Sequence, residues 1–108
     1  MRITTWNVNG LSAGLRKGFS GQLDKLQPDV LLLQETRAMP EQLPPEWREP
    51  AGWYVHWNPA DKKGYSGTAI WSRKPFKIIG TGISGFDPEG RVIHARTEGL
   101  EVLSGYLP

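Results

Sequence analysis

The segment Val30-Leu31-Leu32-Leu33-Gln34-Glu35-Thr36 sets four consecutive aliphatic residues directly before an amide and a carboxylate. Such a run is too short to span a bilayer and too continuously apolar for a strand with one wet face. It reads as a short strand covered on both sides, opened by the Pro28-Asp29 turn signal. Glu35 falls where that strand leaves the core. A carboxylate there is costly unless a metal, a cation or water meets it, so the chain must bring Glu35 a partner.

The preceding residues say how. Ile3 to Val8 is β-branched and aromatic with no breaker before Gly10, and reads as a first strand ending in Asn7-Val8-Asn9-Gly10. Leu15, Phe19, Leu23 and Leu26 recur at spacings of four, four and three, one face of a helix. Gly18 and Gly21 weaken it, so a broken or late-starting helix closed by Gln27-Pro28 is expected. Strand, helix and strand then form a right-handed crossover between parallel strands. Parallel strands end on the same side of a sheet, which puts Asn7 or Asn9 beside Glu35 at the edge where open α/β sheets hold ligands.

Further along, 38–50 carries Pro40, Pro44, Pro45 and Pro50 with four charged residues and reads as a surface loop of little chemistry. Trp53–Trp57, Thr68–Ser72 and Phe76–Ile79 read as strands, the first two flanking the polar, Gly-bounded segment 58–67. A second Gly-rich connection, 80–90, leads to Val92–Arg96 and Leu100–Leu107, antiparallel strands joined around Glu98-Gly99. The end at Tyr106-Leu107-Pro108, with no polar tail after a strand, suggests a truncated domain: residues 1–108 as the N-terminal portion of a single unit.

Composition narrows the function. A chain of 108 residues has room for one modest core, and 22% charged with 38% hydrophobic residues is unlike a disordered tail. Zero Cys excludes disulfides and thiolate metal or redox sites; it is compatible with a reducing compartment, and with no signal-like or membrane-length apolar run the default location is cytoplasmic. The net charge of +2 is uneven: residues 60–77 hold Lys62, Lys63, Arg73, Lys74 and Lys77 against Asp61 alone. Such a segment suits a polyanion, although solvated loops and strand ends would look the same.

Taken singly, the polar residues are ambiguous. Asn7 or Asn9 beside Gly10 could be ordinary turn chemistry, Glu35 a strand-end charge paired with Arg37, and Tyr65 a loop aromatic packing on its neighbours. His56 and His94 alternate with apolar neighbours and read as structural, and two distant His without Cys argue against zinc. Together, a lone carboxylate with nearby amide oxygens suits Mg²⁺, a hard cation that binds through one or two carboxylates plus a phosphate. A basic loop and an exposed tyrosine would complete a face for phosphodiesters.

Five motifs occur in the order and rough spacing of the exonuclease III family: Thr5-Trp6-Asn7-Val8-Asn9-Gly10-Leu11, Gln27 to Thr36, Lys63-Gly64-Tyr65-Ser66-Gly67-Thr68-Ala69, Glu89-Gly90-Arg91-Val92-Ile93 and Gly105-Tyr106-Leu107-Pro108. The chain resembles these abasic-site endonucleases and 3′ exonucleases of DNA repair, within the endonuclease/exonuclease/phosphatase superfamily. The Asn and Gln-Glu motifs are shared across the superfamily, while 63–67 and 89–91 point to its DNA-repair branch. The resemblance implies an α+β fold, the N-terminal half of a four-layer αββα (DNase I-like) sandwich. It also implies Mg²⁺, or Mn²⁺ in its place, and double-stranded DNA with abasic sites or 3′ ends as substrate. The full-length enzyme would be monomeric and off the membrane. It makes Glu35 the principal metal ligand and has Asn7 position the metal or the scissile phosphate. Tyr106 becomes a catalytic hydrogen-bond donor to the phosphate. Asn9 falls near the metal, Arg37 aligns with a basic residue common in relatives, and Gly64, Tyr65 and Arg91 match positions against the DNA backbone. Ser12 departs from relatives that carry Arg there. The Asp-Asn and late Asp-His pairs of the family have no counterpart, so the isolated 108 residues are expected to be inactive. The alternatives are another phosphodiesterase of the superfamily and a non-catalytic nucleic-acid-binding remnant.

Overall fold

The computed structural model describes residues 1–61, 64, 66–81, 90–97 and 99–105, with Thr81 described by its backbone. Tyr65, Tyr106, Lys62 and Lys63 lie outside these residues. Strand β1 (Ile3–Asn7) runs parallel to β2 (Val30–Gln34) with Ile3 opposite Val30 and Asn7 opposite Gln34, as the crossover reading expects. Between them lie two helices, α1 (Leu11–Arg16) and α2 (Phe19–Leu26). The break falls at Gly18, which is left-handed at φ 99°. The second helix stops at Gln27, also left-handed, whose N–H bonds Leu23 O, and Pro28 prevents continuation.

Strands β3 (Tyr54–Asn58) and β4 (Thr68–Ser72) complete a mixed sheet in the order β1-β2-β4-β3. A second sheet is an antiparallel meander of β5 (Lys77–Thr81), β6 (Val92–Thr97) and β7 (Leu100–Gly105). Every residue of β2 and of β4 is buried, which is what an uninterrupted aliphatic strand requires. One face of the first sheet presents Leu31, Leu33, Ala69 and Trp71 to Leu11, Phe19 and Leu23 of the helices. The other presents Val30, Leu32 and Ile70 to Ile93, Ala95 and Val102 of the second sheet. The described layers are therefore helix, sheet, sheet.

The segment 38–50 differs from the bare loop expected of it. It forms a 3₁₀ turn (Pro40–Gln42) and a short helix, α3 (Pro45–Arg48), and buries Leu43. Trp47 packs against Phe19 at 5.8 Å and Trp71 at 6.3 Å between ring centroids. The four prolines hid a pair of core-facing residues four apart, too short a pattern to register as a helix. Trp71 is the hub of this aromatic layer, with Phe19, Trp47, Trp53 and Trp57 around it. Such pairs contribute about 0.5–1.5 kcal/mol each beyond their buried area.

Candidate active site

Because β1 and β2 are parallel and in register, their chains leave the sheet together, and the backbone laces the two exits. Val8 N–H donates to Gln34 O (3.0 Å), Gly10 N–H to Glu35 O (2.8 Å) and Leu11 N–H to Thr36 O (2.8 Å). On the other flank Thr36 N–H reaches Gly67 O (3.1 Å) and Arg37 N–H reaches Ser66 O (2.8 Å). Glu35 is thus held between the turn after β1 and the loop before β4. The fit is close: a Cβ on Gly67 would overlap Thr36 Oγ1.

The backbone here is unusual. Asn9, Gly10, Glu35, Arg37, Gly64, Ser66 and Gly67 all have positive φ. For non-glycine residues this costs of order 1 kcal/mol or more each, tolerated where the surroundings over-determine it, and such clusters gather at functional sites. Nothing in the sequence marked Glu35 (φ 56°) or Arg37 (φ 52°) for it.

The Glu35 side chain is only 14% exposed, and Arg37 Nη2 lies 3.3 Å from its Oε1, the ion pair foreseen as one reading of this carboxylate. Asn7 Oδ1 accepts the Asn9 N–H at 3.0 Å, an Asx turn that explains why Asn9 sits where it does and leaves the Asn7 oxygen a second lone pair. Across the sheet this rung reads Asn7, Gln34, Thr68, Asn58, polar throughout and on the side facing the second sheet. Gln34, 8% exposed, donates from Nε2 to Thr5 Oγ1 (2.9 Å) and Leu32 O (3.0 Å) and lies 3.4 Å from Ser104 Oγ of β7. β7 ends at Gly105 on this same edge, since Gly105 pairs with Val92 at the start of β6. Asn58 was not singled out from the sequence, and Gln34 was marked only as the amide before Glu35, without a role of its own.

Among the predicted residues, then, Asn7, Asn9, Glu35 and Arg37 come together. Gly64 is described with φ 74°, and a Cβ there would meet none of the described residues; Arg91 follows the buried Gly90, and Tyr65 and Tyr106 fall outside the described residues. His56 faces the space between the sheets opposite Ile70, where burial lowers its pKa from 6.5 and favours the neutral ring. His94 lies 3.8 Å from Glu101 on the outer face of the second sheet. Glu101 is held below the usual carboxylate range by its hydrogen bond to Arg96. A cavity of about 270 Å³ lined by Asp29, Ser72, Arg73 and Lys74 opens at the opposite end of the strands, away from Glu35.

Glu35 offers a carboxylate at this edge and Asn7 an amide oxygen, hard ligands of the kind that fit a magnesium-like cation retaining several waters. No group of three His, Cys, Asp or Glu suited to a metal occurs among the described residues, so a closed all-protein cage of the zinc type does not fit there. The carboxylate and the amide thus lie at one strained edge of a two-sheet α+β fold. Consistent with this, residues 4–107 match the Endonuclease/Exonuclease/phosphatase family. The chain is 41% identical to an exodeoxyribonuclease of Bacillus subtilis and 38% identical to a DNA-(apurinic or apyrimidinic site) endonuclease of Dictyostelium discoideum. All of the chain is covered in both cases, but only 43% and 30% of those relatives. A Neisseria 3′ phosphatase solved with a product DNA hairpin superposes with a TM-score of 0.78 at 35% identity, covering 98% of this chain and 41% of that one. This chain belongs to the endonuclease/exonuclease/phosphatase family. It spans less than half the length of these relatives, and a further relative, 37% identical, is a DNA repair nuclease of Danio rerio of which it covers 36%.

Proposed function

We propose that the chain is the first portion of a single-domain, divalent-cation-dependent DNA repair nuclease, cutting 5′ to abasic sites and trimming 3′ ends of double-stranded DNA as a cytoplasmic monomer. The observation that carries this is the meeting of Glu35 and Asn7 at one sheet edge, with Glu35 fixed on both flanks by backbone bonds. Glu35 and Asn7 would hold Mg²⁺ or Mn²⁺, which when bound neutralises charge developing on the phosphate. Arg37, half-exposed beside Glu35, would face the DNA backbone, with Asn9, Gly64, Tyr65 and Arg91 lining its path and Tyr106 donating a hydrogen bond to the phosphate. With Glu35 assigned to the cation and to Arg37, a base to activate the attacking water would come from the part of such nucleases that this chain does not span. No helix among the described residues is long and apolar enough to cross a membrane.

The test is substrate choice by the full-length protein that carries this chain. Duplex DNA with one abasic analogue should be nicked 5′ to the lesion in Mg²⁺ and spared in EDTA. Faster turnover of RNA or of an inositol phosphate under the same conditions would assign it to another branch of the superfamily.

A further inference from the structure

Apolar contacts between two sheets set their spacing but are non-directional. At the Glu35 edge, directional ties cross the gap. Asn58 Nδ2, from β3, donates to Val92 O of β6 at 3.2 Å while also holding Thr68 Oγ1 at 3.2 Å. Two residues earlier, buried Gly90 lies with φ +60° directly on the chain leaving β3. A Cβ there would overlap Asn58 O and come within 2.8 Å of Ala60 N. Both residues flanking Arg91 are therefore pinned to the first sheet: Gly90 by a contact that admits no side chain, Val92 by the Asn58 amide.

We infer that Asn58 and Gly90 are positioning residues, a clasp that fixes the backbone of Arg91 on the second sheet relative to Glu35 on the first. The inference rests on the proposed role of Arg91 as a DNA-backbone contact. An arginine anchored at both neighbours loses less freedom when it meets a phosphate, and the clasp sets which phosphate that is. It acts on binding and register and takes no part in holding the cation, the role proposed for Glu35 and Asn7.

The experiment uses the full-length protein and an abasic-analogue duplex, measuring affinity against salt together with kcat and KM. Arg91→Ala should weaken binding about tenfold and make the salt slope shallower by about one. Gly90→Ala and Asn58→Leu should each raise KM more than they lower kcat, with the same change in slope. The discriminating variants are Gly90→Ala/Arg91→Ala and Asn58→Leu/Arg91→Ala, which should bind within twofold of Arg91→Ala alone. Asn58→Leu removes the donor without a backbone collision, so it carries the test if Gly90→Ala fails to fold. Effects that multiply with those of Arg91→Ala, or wild-type binding by folded Gly90→Ala or Asn58→Leu, would overturn the clasp while leaving the Arg91 contact intact. An inert Arg91→Ala would remove the contact, and the clasp with it.

Discussion

Glu35 is defined as much by its backbone as by its charge. Its φ of 56° turns the chain out of β2, and Gly67 fits against Thr36 beside it so closely that no side chain is admitted. Gly67→Ala should therefore destabilise by roughly 1–3 kcal/mol, by collision and by strain at φ +90°, read from the urea midpoint. His56 supplies a pH-dependent term. Burial holds its pKa below 6.5, so its contribution to stability is full above 6.5 and is lost as pH falls from there through the lowered value of the folded state. Urea midpoints measured from pH 7.5 to 5 should decline, and His56→Gln should flatten that decline; an unchanged slope would show that His56 is not the group responsible. At this scale the sequence marked the carboxylate and its amide neighbour through composition and position alone. It could not mark positive φ at Glu35 and Arg37, because neither residue type favours it.

Among the elements, β2 was readable because burial on both faces demands four aliphatic residues in a row, and the crossover followed from the breaker-bounded helix before it. The split of the seven described strands into two sheets was legible only through the family resemblance, and not from the strands themselves. Pairing between distant strands is set by which faces must be covered, and single segments do not encode that. Helix α3 was missed because its signal is only Leu43 and Trp47, embedded among prolines. Its worth lies in packing: Trp47 completes the layer around Trp71. Trp71→Ala should cost about 3–5 kcal/mol, since the site is fully buried and its four aromatic neighbours cannot all collapse into the void. A loss below 1 kcal/mol, by thermal or urea unfolding, would contradict its place as hub.

Taken whole, the molecule is two sheets joined by an apolar interior and tied at one edge by Gln34 and Asn58. Ile3 on edge strand β1 and Leu100 and Leu103 on edge strand β7 are exposed, Leu103 by 68%. Unpaired edges bearing exposed apolar residues promote association, so residues 1–108 expressed alone should sediment as oligomers at micromolar concentration. A clean monomer would show that these edges are adequately protected. Family membership could be read from five spaced motifs, whose described residues include Asn7, Glu35, Gly67 and Val92 at one edge of the sheets. The measurement that bears most directly on the account is cleavage of an abasic-analogue duplex by the full-length Glu35→Gln protein in Mg²⁺, beside wild type of matched circular dichroism. A loss of at least a hundredfold in kcat with folding unchanged is the predicted result; cleavage within a few-fold of wild type would contradict the assignment of Glu35 to the cation.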